Sequence, residues 1–445
     1  MISICPRRPC AEDHSARANT ADASSTRWSP LWRNPDFLKL WSGSTISEFG
    51  SLVTAVALPF AAILALGASP FQMALLRTSE IIPALIMALI AGVWVDRLRR
   101  RPILIATDLG RAILLGTIPA AAFAHLLTMP QLYGVTLLAA ILGIFFEVAY
   151  RSYLPSIVGK DELAEANSKL SASASVAEVG AFSLAGWMVQ VLSAPIAILI
   201  DAISFLFSAA FVWTIGAAAE PFPHSEAARE RLGRELTEGA RFVVNDPILR
   251  ALVPAIAIST FGNSMFGTEY SLYALRALGF KPGLLGVIFA IGGIGSLAGA
   301  LMVARISNRF GAGPTMIAGL ALWGVGELCV PIARSATTLG AALMIAQQLS
   351  DGAAMLYYVN LTTLRQTTPP GSMLGRVNAT MRFLVLACQL AGTLASGILA
   401  EIIGLRATLA IGASANLVAA GRLAISPIRD LADVNVSSSY AAPAS

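Results

Sequence analysis

Residues 92–102 read Gly92-Val93-Trp94-Val95-Asp96-Arg97-Leu98-Arg99-Arg100-Arg101-Pro102. This basic turn is wedged between two long apolar runs, so the chain must leave a membrane and re-enter it almost at once. Lys and Arg in short loops stay on the cytoplasmic side, and the turn is therefore expected to face the cytoplasm and to fix the orientation of the helices beside it. A second copy stands at Arg305-Ile306-Ser307-Asn308-Arg309-Phe310-Gly311-Ala312-Gly313-Pro314. Asn308-Arg309 replaces Asp96-Arg97 and Pro314 replaces Pro102, each displaced by 212 positions (308 − 96, 309 − 97, 314 − 102).

The same displacement extends outward from the turn. Ile46-Ser47-Glu48-Phe49-Gly50 returns as Ile258-Ser259-Thr260-Phe261-Gly262, Ala65-Leu66-Gly67 as Ala277-Leu278-Gly279, Pro70 as Pro282 and Pro35 as Pro247. Further on, Asn167 matches Asn378 and Gly186 matches Gly397 at a displacement of 211 (378 − 167, 397 − 186). A fixed long period is the mark of a duplicated structural unit.

Of the 445 residues, 56% are hydrophobic and only 13% charged, against about 25% charged in soluble domains. The chain reads as an integral membrane protein. Apolar runs of about 20 residues, the length that crosses the hydrocarbon layer, number twelve: 42–66, 72–95, 102–125, 131–154, 170–192, 195–217, 248–275, 283–306, 314–333, 338–360, 379–402 and 405–425. The expected fold is all-α, with twelve transmembrane helices in two pseudo-symmetric six-helix bundles. Residues 1–33 are expected to be a disordered cytoplasmic tail, 34–217 the N-terminal bundle, 218–247 a cytoplasmic linker with an amphipathic helix, 248–425 the C-terminal bundle and 426–445 a second cytoplasmic tail.

Basic residues support that topology. In this arrangement the outer turns hold only Arg276, Lys281, Arg334 and Arg406, and most other Lys and Arg fall inside, so both termini are expected in the cytoplasm of a cell bearing the protein in its plasma membrane. The net charge of +5 is spread over short turns, which speaks for orientation and not for nucleic acid. Four Cys without a CxxC pair and three scattered His give no disulfide framework or metal site. The N-terminal stretch has no apolar core of a secretory signal.

The turn at 92–101 resembles the G-x-x-x-D-R-x-G-R-R loop of the major facilitator superfamily, with Arg99 where the family usually has Gly; the second copy restores it as Gly311. Three further segments look like the macrolide-efflux and enterobactin-exporter branch of that superfamily: Asn34-Pro35-Asp36-Phe37-Leu38-Lys39-Leu40-Trp41, Glu238 to Arg250, and Tyr153-Leu154-Pro155-Ser156-Ile157-Val158 with Ala166-Asn167. With the repeat, the resemblance covers roughly residues 30–425. It implies a carrier whose bundles rock about a central cavity, with Gly92, Asp96, Arg97, Arg100, Arg101, Asn308, Arg309 and Gly311 in the gating loops. Exporters of the superfamily often carry G-P-x-x-x-G-G in the fifth helix; Gly180 to Gly186 here keeps two glycines and lacks the proline.

Ionisable residues at membrane depth are functional candidates because burying charge there is costly. Glu48, whose repeat partner is Thr260, is the first candidate for proton coupling. Asp108 and Arg111, three apart, and Glu147 and Arg151, four apart, have the spacing of helix-surface pairs. Arg77 and Glu178 either complete a buried network or meet a charged cargo, and Glu269, Glu327 and Asp351 are weaker candidates in the second half. Phe60, Phe145, Phe146, Tyr150, Phe182 and Trp187 could line an apolar pocket or serve packing.

No G-x-x-x-x-G-K-S/T loop exists in the chain, so no nucleotide or other cofactor is expected and the energy must come from an ion gradient, the proton's first, or from the cargo's own gradient. The expected activity is proton-coupled efflux of a hydrophobic or amphipathic small molecule, a drug or siderophore, by a monomer in a lipid bilayer. A carrier for lipid-like cargo such as a lysophospholipid flippase, an uptake carrier, and a non-transporting sensor or scaffold are the alternatives. No nucleophile and base or metal cluster points to an enzyme.

Overall fold

A computed structural model describes residues 30–87, 98–216 and 229–431. The helices are α1 (Pro35–Leu64), α2 (Pro70–Met87), α3 (Arg100–Phe123), α4 (Met129–Ile157), α5 (Leu163–Leu192), α6 (Ala194–Thr214), α7 (Arg229–Asn245), α8 (Pro247–Leu272), α9 (Pro282–Phe310), α10 (Ala312–Ile332), α11 (Thr338–Thr367), α12 (Leu374–Ile403) and α13 (Leu405–Ala424). No strand occurs among the described residues.

Ten of these helices are long and apolar enough to cross a bilayer. Of the twelve spans read from the sequence, the two outside that set are α2, where Arg77 and Glu80 interrupt the apolar run and the described helix stops at Met87, and α11, which carries Gln347, Gln348, Asp351, Asn360 and Arg365. Both lie among the other helices, α2 against α4 and α12 and α11 against α9 and α10, where polar groups meet protein and cavity. The outward faces are apolar, as Ile113, Trp213, Leu301 and Ile402 illustrate, and this is the surface a multi-pass membrane protein presents to lipid.

The duplication is visible as geometry. Asn34 caps α1 by accepting from the Asp36 and Phe37 amides at 3.1 Å each, and Asp246, 212 residues on, caps α8 by accepting from Ile248 and Leu249 at 3.0 and 2.8 Å. A proline follows each cap, at the position where a missing N–H costs nothing. Gly67 and Gly279 both adopt positive φ, +62° and +79°, which favours glycine. Arg99 and Gly311 break the pattern. Gly311 has φ +92°, whereas Arg99 sits at φ −66°, so the first turn has no need of a glycine there and tolerates the arginine.

The first and last described segments, Pro30–Arg33 and Pro427–Asp430, and α7 lie at one end of the helices, here the terminal end. One apolar cluster joins the two bundles at the far end, with Ile63, Leu132 and Ile198 of the first half packed with Leu272, Ile288 and Leu409 of the second. Toward the terminal end the core divides in two, around Leu40, Leu104 and Tyr153 in one bundle and Leu249, Leu320 and Leu364 in the other. The cleft between the bundles therefore opens toward the terminal end.

The far-end closure is itself duplicated. A Cβ on Gly186 of α5 would lie 2.5 Å from the Pro282 carbonyl and 2.7 Å from the Gly286 Cα of α9. One on Gly397 of α12 would lie 2.5 Å from the Ala74 Cβ and 3.1 Å from the Phe71 Cα of α2. Beside these contacts Gln190 Oε1 accepts from the Gly283 amide at 2.9 Å, and Glu401 Oε1 from the Phe71 amide at 3.3 Å. Gln190 and Glu401 are 211 apart and Phe71 and Gly283 are 212 apart, so one contact is made twice.

Parts of the expected tails are folded. Pro30–Arg33 forms a 3-10 turn with Leu31 fully buried, Trp32 packs edge-on to Trp41 at 5.3 Å, and Lys169 Nζ lies 4.5 Å from the Trp32 ring centre. At the other terminus Pro427–Asp430 forms a second such turn; Ile428 is fully buried and the Leu431 carbonyl accepts from Gly313 at 3.0 Å. The linker helix α7 packs on α12 through Gly239 and a 2.6 Å pair between Glu238 and Arg376.

Candidate functional site

The N-terminal bundle gathers its charges around Arg111. This guanidinium meets Asp108 Oδ1 at 2.5 Å, one helical turn away on α3, and stands over the rings of Phe205 and Phe146 at 4.1 and 4.5 Å. Asp108 is 0% exposed, and Asp201 of α6 is 1% exposed. Asp201 Oδ1 accepts from Ser204 at 3.2 Å, while its Oδ2 has no hydrogen-bond partner among the described residues. Arg111 lies within electrostatic reach of Asp201 and Glu48 as well as Asp108. One guanidinium thus serves three carboxylates at membrane depth.

Glu48 lies ~20 Å along α1 from Pro35 at 1.5 Å per residue. With Arg111, Phe146, Glu147, Tyr150 and Asn167 it lines a cavity of about 820 Å³ enclosed by α1, α3, α4 and α5. Tyr150 donates to Ser44 Oγ at 3.3 Å and stacks on Phe146 at 5.8 Å. Glu147 pairs with Arg151 at 2.7 Å, with both side chains exposed.

A second cavity, of about 620 Å³, lies between the bundles and runs from Met73 and Thr268 to Ile81 and Arg365. Arg77 lines it and pairs with Glu80. A third, of about 580 Å³, lies between α1 and α5 on one side and α9 and α11 on the other, with Glu178, Phe182, Phe289 and Asp351 in its walls. Phe182 faces both inter-bundle cavities. Phe60, read from the sequence as a candidate for the pocket, is instead 1% exposed in the far-end core, because its position on α1 turns it into the apolar seam. Phe146 and Tyr150 line the cavity inside the N-terminal bundle and not the cleft between bundles.

In the C-terminal bundle Glu327 is 3% exposed and accepts from Asn416 Nδ2 at 2.9 Å, an amide that also donates to Asn263 Oδ1 at 2.9 Å. Glu269 is 0% exposed and accepts from Ser396 at 3.3 Å. Among the described residues no ion pair is made by Glu269, Glu327 or Asp351.

Gly92, Asp96 and Arg97 of the first gating loop lie outside the described residues. Of the remainder, Arg100 opens α3, and Arg101 donates to the carbonyls of Val212, at 3.3 Å, and Trp213 at the C-terminus of α6. Lys39 donates to the next carbonyl, of Thr214, at 2.8 Å. Cations there complement the helix dipole and tie α1 and α3 to α6. In the second copy Asn308 and Arg309 are exposed on the last turn of α9, Arg309 lies over Phe310 at 5.4 Å, and the neighbouring Ser307 is joined to Asn360 of α11 at 3.0 Å.

Asp201 was not singled out by the sequence reading. Its signal was a lone acid in the run Ala194–Thr214, which has no other charge, and a membrane-depth acid of that kind is costly unless it serves a site.

A family model described as transmembrane secretion effector matches residues 25–444. The chain belongs to this family of major facilitator superfamily transporters. It is 26% identical over 397 residues to the uncharacterized MFS-type transporter YfiS of Bacillus subtilis (strain 168), covering 84% of this chain and 89% of that one. It is also 26% identical over 384 residues to the multidrug efflux pump Tap of Mycolicibacterium fortuitum, covering 84% and 91%. Among solved structures it matches a bacterial homologue of the iron transporter ferroportin in its inward-facing state, with TM-score 0.72, 18% identity and coverage of 88% and 98%. The nucleoside transporter NupG matches with TM-score 0.69, 15% identity and coverage of 87% and 98%. These structural likenesses establish the shared fold. The protein is a multi-pass membrane transporter and not an enzyme.

Proposed function

We propose that the protein exports hydrophobic or amphipathic small molecules in exchange for protons, by alternating access. The observation that carries this reading is the charge imbalance around Arg111: Glu48, Asp108 and Asp201 share one cation, and Glu48 stands on a cavity wall. Three carboxylates against one guanidinium leave an excess of two negative charges; a proton on one of them halves that excess, and its release restores an uncompensated carboxylate at membrane depth, which is costly. Loading and unloading that proton therefore favours different arrangements of the bundle. The likeness to Tap supports the outward direction and a drug-like cargo.

With the terminal end in the cytoplasm, as the basic turns require, the arrangement described above is open inward and sealed outward by the paired glycine contacts. In this cycle Asp96 and Arg97 hold the inner gate, so Asp96→Asn slows turnover without changing cargo affinity. The test is accumulation of amphipathic dyes in inverted membrane vesicles. Accumulation that requires an acid-inside proton gradient, and vanishes when the gradient is collapsed, is expected. Equal accumulation with and without the gradient would contradict proton coupling.

A further inference from the structure

Resting on the reading of the protein as a small-molecule transporter, we infer that the cleft between α5 and α9 takes an organic cation with an aromatic or apolar body, held between Glu178 of one bundle and Asp351 of the other. The two carboxylates belong to opposite walls of the 580 Å³ cavity, and no Lys or Arg stands among its described lining residues. The 620 Å³ cavity differs in this respect, since Arg77 and Arg365 line it with Glu80. A cleft with acids of one sign and low-dielectric walls concentrates cations.

Asp351 is oriented for this task. Its Oδ1 accepts from Trp323 Nε1 at 3.1 Å and from Gln347 Nε2 at 3.5 Å. Its Oδ2 faces Gly292 of α9, 3.2 Å from where a Cβ would stand, and Gln348 Oε1 lies 3.1 Å from the same point. Two oxygens thus converge at a glycine on the cavity wall. Gln348 faces the cavity and makes no hydrogen bond among the described residues, so its amide is free to meet a ligand there. Glu178 makes no ion pair among the described residues.

The rest of the wall selects the body of the ligand. Phe182 and Phe289 meet edge to face at 6.4 Å across the two bundles, and Met355 lies in the same cavity. Ring faces attract cations, and a volume of this size suits a drug-sized molecule and not a bare inorganic ion. Because the carboxylates sit on different bundles, a bound cation bridges the parts that move against each other.

The probe is tetraphenylphosphonium, a permanent cation, beside the neutral triphenylphosphine oxide, each titrated without any gradient into the purified full chain in lipid nanodiscs. Glu178→Gln and Asp351→Asn are each expected to weaken binding of the cation tenfold or more and of the neutral probe less than twofold, with Asp351→Glu restoring the preference. Absence of saturable phosphonium binding, unchanged affinity in both variants, or equal loss for both probes would overturn the proposal. Should Asp351→Asn fail to fold, Glu178→Gln decides alone by the same criterion. Failure of gradient-driven uptake with cation preference intact would sink the transport reading only; intact uptake of neutral dyes with no cation preference would sink this inference only.

Discussion

In the N-terminal bundle Asp108 meets Arg111 at 2.5 Å with Asp201 close behind; in the C-terminal bundle, among the described residues, Glu327 is hydrogen-bonded by an asparagine amide and Glu269 by a serine hydroxyl, and neither makes an ion pair. The scaffolds repeat, down to helix caps and turn glycines, yet the charged positions do not. Glu48, Asp108, Arg111 and Asp201 correspond to Thr260, Leu320, Trp323 and Gly412 (48 + 212, 108 + 212, 111 + 212, 201 + 211). Glu269, Glu327 and Asn416 correspond to Ala57, Leu115 and Phe205 (269 − 212, 327 − 212, 416 − 211). Duplication supplied two equivalent frames, and each buried its polar groups at sites the other fills with apolar or small residues. Apolar packing fixes the frame and leaves the interior positions free to diverge.

That contrast is broken most directly at Arg111. Arg111→Met leaves two buried acids without their cation and is expected to cost about 3–5 kcal/mol, seen as a large fall in melting temperature. Glu327→Gln removes a buried acid that has no cation and keeps an acceptor for Asn416, so its melting temperature is expected to stay level or rise. Equal losses in the two variants would erase the distinction between the bundles.

The symmetric closure gives the next largest effect. Gly186→Val and Gly397→Val each place atoms where a partner helix already stands, with an overpacking cost of about 1–3 kcal/mol. Both are expected to reduce transport and to lower disulfide cross-linking between Trp187→Cys and Leu284→Cys. Cross-linking at the parental level in either variant would show that the glycine contacts do not hold the far end closed.

Glu48→Gln sharpens the comparison without disturbing the fold. Gradient-driven export is expected to stop while the melting temperature is unchanged; parental export would remove Glu48 from the coupling role. The smallest effect belongs to Arg376→Gln, which breaks the half-exposed pair with Glu238 between α12 and α7 and is expected to cost about 0–1 kcal/mol, a shift of melting temperature near the limit of measurement.

Much of this frame is legible in the chain. The 212-residue displacement, Asn34 and Asp246 before their prolines, and Gly67 and Gly279 are local signals, and each appears in the structure as a cap or a positive φ. The pairing of Asp108 with Arg111 is equally local, one turn of helix. What the sequence left out was long-range: that α6 carries Asp201 to Arg111, that α13 carries Asn416 to Glu327, and that Phe60 turns into a seam between bundles. Such neighbours depend on how helices pack, and one chain read alone holds no record of it. Glu178 and Asp351 were visible as membrane-depth acids, but their places on facing walls of one cleft were not.

The account stands on the two bundles rocking about their cleft, and spin-label distances test it most directly. Labels at Leu126 and Leu339, both exposed near the far end, and at Asp161 and Gly371, both exposed near the terminal end, report the two openings. Imposing a proton gradient with cargo present is expected to lengthen the first distance and shorten the second. Distances that both stay fixed, or that lengthen together, would contradict it.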